Sequence, residues 1–166
     1  MLSRIAALNA EYAAAIDDDR LEAWPEFFTD ACLYTITSAG NLRDGNEAGI
    51  VFADSKAMMA DRVLALRRAN IFERQAYRHI TGLPRIIDAP VAGGTAAITP
   101  APGGSAEIAA ETPFLVVRTM RDGRMDLFAT GLFRDRICDD AGTLRFRQRI
   151  VICDSSRFDT LLAIPL

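Results

Sequence analysis

An Asp-Gly pair, Asp122-Gly123, separates two long β-patterned runs, and this constrains the fold more tightly than any other feature of the chain. A type I′ hairpin loop needs positive φ at both central positions, and Asp-Gly is among the pairs that accept it best. Thr112–Met120 is therefore read as one strand, Arg121–Arg124 as a turn and Met125–Ile137 as the next strand. Asp139–Gly142 then reverses the chain into a third strand, Leu144–Cys153. Alternation places Leu144, Phe146, Gln148, Ile150 and Ile152 on one face of that last strand. Arg145, Arg147, Arg149, Val151 and Cys153 fall on the other. The first face suits a core and the second suits water or a partner, so 111–166 forms an antiparallel meander that the rest of the chain must cover.

The covering elements come first in the sequence. Ile5, Leu8, Tyr12 and Ile16 recur at helical spacing and predict an amphipathic helix over Leu2–Asp17. Asp17-Asp18-Asp19 ends it, because acids at the negative end of a helix dipole oppose continuation and favour a new start. Leu21, Trp24, Phe27 and Phe28 define a second, short helix starting at Asp19 or Arg20, with Pro25 confined to its first turn. Ala31–Ser38 alternates β-branched and aromatic residues and predicts a strand, Ala39–Gly49 a polar loop, and Ile50–Phe52 a short strand or buried connector. Asp54 or Ser55 caps a third helix running to about Arg68, with Met59, Val63 and Leu66 on one face. Phe72–Ile87 returns to strand with a bend at Gly82-Leu83-Pro84, Asp88–Gly104 is a Gly/Pro-rich loop or irregular hairpin, and Ser105–Ala110 begins the strand that reaches Phe114. Helices followed by a curved antiparallel sheet make the class α+β, in one domain spanning 1–166.

A chain of this length buries roughly 70% of its unfolded surface and builds a core without staples. The net charge of -3 gives no general attraction to nucleic acid or to anionic membrane. Cys32, Cys138 and Cys153 are odd in number and widely spaced, which argues against a disulfide framework or a zinc site. Met1–Glu11 lacks the apolar core of a signal peptide and no run approaches a membrane span, so the expectation is a cytoplasmic protein.

His79 is the single histidine, which excludes zinc-finger, two-His-one-carboxylate iron and Rieske ligation within one chain. No phosphate-cradling glycine motif or nucleophile elbow occurs. The best catalytic constellation is His79 with an acid of the Asp17-Asp18-Asp19 turn, against the plainer reading of a structural histidine beside a solvated turn. Of the 19 basic residues 18 are Arg, a bias that fits either surface recognition or genomic base composition. If Cys138 pairs with Thr143 across the last turn, Arg136 faces Arg145 and Arg134 faces Arg147. Facing like charges destabilise a sheet unless acids intervene. Those acids come from Asp126 or Asp135 of the same chain or from another subunit, so Arg134, Arg136, Arg145 and Arg147 are candidate interface residues.

Blocks along nearly the whole chain resemble the small (beta) subunits of aromatic-ring-hydroxylating dioxygenases, which have the NTF2-like cone fold. They are Ile16–Asp30, Ala48–Ser55, Met59–Arg62, Leu66–Glu73, Tyr77–Gly82, Ile150–Ser155 and Thr160–Leu166. The middle blocks look most like the subset acting on aromatic carboxylates such as terephthalate, salicylate or anthranilate. The resemblance implies a non-catalytic subunit with no cofactor of its own. It implies a partner alpha subunit carrying the Rieske [2Fe-2S] cluster and mononuclear Fe(II), assembly through a beta trimer into an α3β3 hexamer, and electron supply from reductase and ferredoxin components using NAD(P)H. The alternative is a stand-alone NTF2-like isomerase or dehydratase working through His79 and an Asp in the cone.

Overall fold

The structure is a computed structural model that describes residues 1–46, 49–68, 75–87, 107–157, 162 and 164–166. The loop expected over 88–104, the strand start expected at Phe72 and the first two residues expected for the strand beginning at Ser105 lie outside these.

Helix α1 spans Leu2–Asp17 as its periodicity predicts, burying Ile5, Asn9, Tyr12 and Ile16. Its stop is more specific than charge opposing the dipole. The N–H of Arg20 donates to the Ala15 carbonyl and that of Asp19 to the Ile16 carbonyl, with Asp19 at φ 57. This is a Schellman ending with Asp in the left-handed position usually given to Gly. Leu21–Phe27 follows as a 3-10 helix with Pro25 at its fifth position, not in the first turn. Trp24 is fully buried and donates from Nε1 to the Tyr12 hydroxyl at 3.2 Å.

Strand β1 (Phe28–Ser38) leads directly into α2 (Ala39–Arg43), a short helix where a loop was expected. Ser38 caps it by accepting from the Asn41 N–H. β2 (Val51–Ala53) and α3 (Lys56–Arg68) follow, and Ser55 Oγ accepts from the Met58 N–H as the predicted cap. β3 (Gln75–Thr81), β4 (Arg85–Ile86), β5 (Glu107–Met120), β6 (Met125–Asp140) and β7 (Thr143–Cys153) complete the sheet. Its order is β2-β1-β7-β6-β5-β3, with β4 on β5 and every pairing antiparallel except β1 with β7. This mixed, mostly antiparallel curved sheet with α1, the 3-10 helix and α3 across one face is the NTF2-like cone.

Both turns of the meander form at the expected places with different chemistry. In the first, only Gly123 has positive φ, and the Met120 N–H donates to the Arg124 carbonyl while the Gly123 N–H donates to the Met120 carbonyl. That is a type I turn closed by a left-handed Gly, not a primed two-residue loop. In the second, the two-residue loop is Ala141-Gly142, at φ 50 and 91, so Asp140 pairs with Thr143. The expected Cys138–Thr143 pairing is therefore wrong: Cys138 sits opposite Arg145, and Arg147 is an extra residue between Phe146 and Gln148. A β-bulge of this kind reverses which face each later residue occupies. Leu144 and Phe146 face the helices, and after the bulge so do Arg149, Val151 and Cys153, while Ile150 and Ile152 turn to the opposite face under Leu42 and Ile87.

Arg149 consequently lies at the centre of the core. Its Nε and Nη2 donate to the two Asp135 oxygens at 2.9 and 2.7 Å, Nη2 also donates to Asn9 Oδ1, and Asn9 Nδ2 donates to Thr112 Oγ1. The guanidinium carbon lies 4.2 Å from the Tyr12 and Phe133 ring centres and 3.8 Å from that of Phe146. Burial pushes the Asp135 carboxyl up against the pull of Arg149; burial also acts to lower Arg149, but the Asp135 carboxylate outweighs it and holds the guanidinium charged. Removing one partner leaves an uncompensated buried charge, so Arg149→Met is expected to cost about 3–5 kcal/mol in urea unfolding. Asp135→Leu combined with Arg149→Met is expected to recover most of that loss; a double variant as unstable as the single would show that the rings, not the charge, set the cost.

At the surface Arg67 of α3 clasps the 3-10 helix, donating to Glu22 at 2.7 and 3.0 Å and to Asp19 at 2.8 Å. The bond from Arg67, then the backbone bond, hold the Glu22 carboxyl down at about 2 from an ordinary 4.5. A depressed folded-state pKa means stabilisation that is complete above 4.5 and lost as pH falls toward 2. Glu22 is exposed, so the gain is about 1 kcal/mol or less and shrinks in salt. Glu22→Gln is expected to flatten the stability profile between those pH values, a change read by thermal melts at low ionic strength.

Candidate functional site

The expected pairing of His79 with an acid of the triplet is present. His79 Nδ1 donates to Asp17 Oδ1 at 2.7 Å, and the His79 backbone N–H donates to Asp17 Oδ2 at 2.8 Å. Asp17 is the last residue of α1 and His79 lies mid-strand in β3, so the pair fastens the helix end to the sheet edge. Asp18 and Asp19 take no part, pairing with Arg20 and Arg67. The imidazole is fully buried, the Asp17 side chain is 3% exposed, and His79 Nε2 has no hydrogen-bond partner. A general base needs its free nitrogen within reach of a substrate proton. Neither the cavity of about 30 Å³ beside Cys153 and Leu166 nor the open groove of about 490 Å³ beside Arg4 and Phe27 is lined by His79 or Asp17. The pair therefore has the geometry of an acid-base dyad in a sealed position.

Cysteine chemistry is closed off in a similar way. All three cysteines are buried and outside any disulfide, and burial pushes Cys32 up to about 11 and Cys153 to about 12, leaving those two as thiols and not thiolates at neutral pH. Among the described residues no cluster of three His, Cys, Asp or Glu side chains could hold a metal ion. One histidine per chain fits neither a Rieske cluster nor a two-His-one-carboxylate iron, so no step through either group is assigned to this chain.

The arginine candidates are not arranged as facing pairs. Arg134 lies opposite Ile150 and Arg136 opposite Gln148, a direct result of the Arg147 bulge and the tighter turn. Their acids come from β5 and not from Asp126 or Asp135. Arg134 Nε donates to Glu111 Oε1 at 2.9 Å, and Glu111 Oε2 also accepts from Arg85. Glu107 Oε2 lies 3.5 Å from Arg136 and its Oε1 3.4 Å from Arg147. Asp126 instead meets Arg118 and Arg124, and Asp135 belongs to Arg149. Arg145 leaves the group and donates to the Glu26 carbonyl at the end of the 3-10 helix. The structure thus gathers Arg134, Arg136 and Arg147 through Glu107 and Glu111 on the sheet face away from α1, and separates Arg145.

That face carries apolar residues the sequence reading did not single out. A bulge on β6 at Phe128 pairs Leu127 with Val117 and Met125 with Thr119, which turns both outward, on the same face as Ile80 of β3. Leu127 is 67% exposed, Met125 70% and Ile80 55%. Strand alternation alone places Leu127 with the inward-facing Ala129 and Phe133, so the pattern held no signal for the exposed position. Also unforeseen is the closure of the cone by Leu166, whose main-chain oxygen accepts from the Tyr12 and Tyr34 hydroxyls at 2.7 and 3.0 Å.

No protein-family model matches the chain. It is similar to the terephthalate 1,2-dioxygenase terminal oxygenase component subunit beta 2 of a Comamonas species, 45% identical over 163 residues covering 98% of this chain and 97% of the relative. It is also similar to the anthranilate 1,2-dioxygenase small subunit of Burkholderia cepacia, 36% identical over 96% of this chain and 90% of the relative. Among solved structures, one assigned as the beta subunit of an aromatic-ring-hydroxylating dioxygenase of Novosphingobium aromaticivorans superposes with a TM-score of 0.83 at 36% identity, covering 99% of this chain and 96% of its own. Identity at these levels over nearly all of both chains, together with the shared cone, places the protein in the family of small (beta) subunits of aromatic-ring-hydroxylating dioxygenases.

Proposed function

We propose that this chain is the non-catalytic scaffold of an oxygenase that hydroxylates an aromatic acid, and that it binds a catalytic alpha subunit and copies of itself through the sheet face left uncovered by α1. The observation that carries the reading is the contrast between a sealed interior and an exposed face of mixed chemistry. The Asp17–His79 pair is buried, whereas Leu127, Met125 and Ile80 stand exposed on the same sheet face as the Arg134–Glu111–Arg85 ion pairs, farther along the strands. Exposed apolar groups and arginine-rich pairs sharing one face have the composition of a protein interface. Self-association as a trimer within an α3β3 hexamer is part of the same reading, since it would hold neighbouring alpha subunits in register. The Rieske [2Fe-2S] cluster and mononuclear Fe(II) belong to the alpha subunit, electrons arrive through reductase and ferredoxin components, and the assembly works in the cytoplasm. No helix among the described residues is long and apolar enough to cross a membrane.

Co-expression with an alpha chain carrying both iron-site motifs, followed by native mass measurement and an assay against aromatic acids, tests this reading. The isolated chain is expected to be trimeric, iron-free and inactive. Leu127→Asp combined with Arg134→Ser is expected to lower the assembled fraction at least about tenfold while leaving the melting temperature of the isolated chain close to that of the parent. Stoichiometric iron in the isolated chain, turnover without partners, or an unchanged sedimentation profile of the double variant would sink it.

The stand-alone isomerase or dehydratase reading makes a different demand on the Asp17–His79 pair. As a structural fastening, the pair predicts that Asp17→Ala, which strips acceptors from the His79 N–H and Nδ1, costs about 1–3 kcal/mol per group. Turnover per assembled alpha subunit is expected to remain at the parent level. Denaturant unfolding and steady-state assays of the same preparation separate the two, and lost turnover with stability intact would favour catalysis by the pair.

A further inference from the structure

The seat of Leu166 is built from polar groups that are unusual in so apolar a core. Tyr12 and Tyr34 are both fully buried, and their hydroxyls converge on one oxygen, the main-chain oxygen of Leu166, at 2.7 and 3.0 Å. The Leu166 N–H donates to Tyr34 at 3.0 Å, and Trp24 Nε1 donates to the Tyr12 hydroxyl from behind. The main chain of Leu166 is thus recognised by side chains of α1, the 3-10 helix and β1, as a bound molecule would be. Its side chain is 1% exposed, with Ile164 buried alongside. A cavity of about 30 Å³ already adjoins it, walled by Phe128, Ala129, Cys153 and Leu162 as well as Leu166. Burial raises both tyrosine pKa values, so the hydroxyls remain neutral donors. The Arg149 guanidinium over the Tyr12 ring adds a positive charge that its Asp135 partner offsets, so the seat offers an oxygen two neutral hydroxyl donors.

We propose that this seat is a latent binding site for a small apolar molecule bearing one carbonyl or carboxylate oxygen, and that Ile164–Leu166 is its built-in occupant. The oxygen takes the two tyrosine hydroxyls and the apolar body takes the space of the leucine side chain. Joined to the adjoining cavity, that space approaches the size of an apolar cavity of about 150 Å³, which holds a single benzene ring. While the segment is seated the site is closed, which keeps the cone interior filled in the intact subunit. The site is separate from the uncovered sheet face, so its fate in a test leaves the scaffold role untouched.

The test uses a variant lacking Ile164–Leu166, the intact chain, and Leu166→Gly in the intact chain, each first confirmed folded by near-ultraviolet circular dichroism. Benzoate, benzene and the tripeptide Ile-Pro-Leu are the probes, read by amide chemical-shift changes. The shortened variant is expected to bind benzoate and the tripeptide in competition, and the intact chain to bind neither. Adding Tyr34→Phe to the shortened variant is expected to weaken benzoate about tenfold and leave benzene unchanged. A folded shortened variant that is silent to benzoate and tripeptide, a Tyr34→Phe change without effect, or equal benzoate binding by the intact chain would overturn the proposal. If the shortened variant does not fold, Leu166→Gly decides, since it vacates the apolar space alone: benzene binding supports the site and silence to benzene overturns it.

Discussion

The ion pair of Arg149 with Asp135, closed off from water and wrapped by three aromatic rings, is the interaction on which the rest of the cone depends. Two charges in an apolar core are costly to desolvate, and attraction between them offsets that cost only when the geometry is good and the remaining donors find partners. Here the bidentate contact, the Asn9 acceptor and the faces of Tyr12, Phe133 and Phe146 meet most of those conditions, with Arg149 Nη1 left without a hydrogen-bond partner. Because those groups come from α1, β6 and β7, none of the three elements can slide by a residue without stranding a charge. A purely apolar core would tolerate such slips more readily. The same centre orients Tyr12, whose hydroxyl then links Trp24 to Leu166, so one guanidinium sets the arrangement of the cone from the sheet to its closing segment.

Much of the architecture was legible in the sequence because it rests on periodicity and punctuation. The spacing of Ile5, Tyr12 and Ile16 gave α1 with both its ends, Ser55 and the Met59–Val63–Leu66 face gave α3, and the two glycine turns located the meander. What could not be read was parity. A bulge adds one residue to a strand without a composition signature, and the one at Arg147 exchanged the predicted core and partner faces for everything after it. The predicted facing arginines failed for that reason and because the left-handed conformation fell on Ala141, a residue that no turn rule favours there. α2 was missed since its five residues include Gly40 and Asn41, poor helix formers held by the Ser38 cap and by Leu42 packing under the sheet. The site was legible in part. His79 and Asp17 were singled out by residue type and do meet, but burial, which decides whether they can act, is a tertiary property that one strand and one helix end do not announce.

The two bulges on the β5–β6–β7 meander also explain why the chain has a face to offer. Without the bulge at Phe128, alternation would carry Leu127 inward with Ala129 and Phe133; without that at Arg147, it would carry Ile150 and Ile152 inward and leave Arg149 outside. A sequence shaped for an isolated core has no reason to bury an arginine and expose a leucine, because each choice alone costs stability. Taken together they are consistent if the outer face is itself to be covered, by α2 and Ile87 over Ile150 and Ile152, and by another subunit over Leu127, Met125 and Ile80. The Arg134–Glu111 and Arg136–Glu107 pairs lie on the same face, where neutralised charge costs less to bury than isolated arginines would. The sheet is therefore two-sided by construction, with an ion pair at the centre of one side and, on the other, exposed apolar residues and further ion pairs.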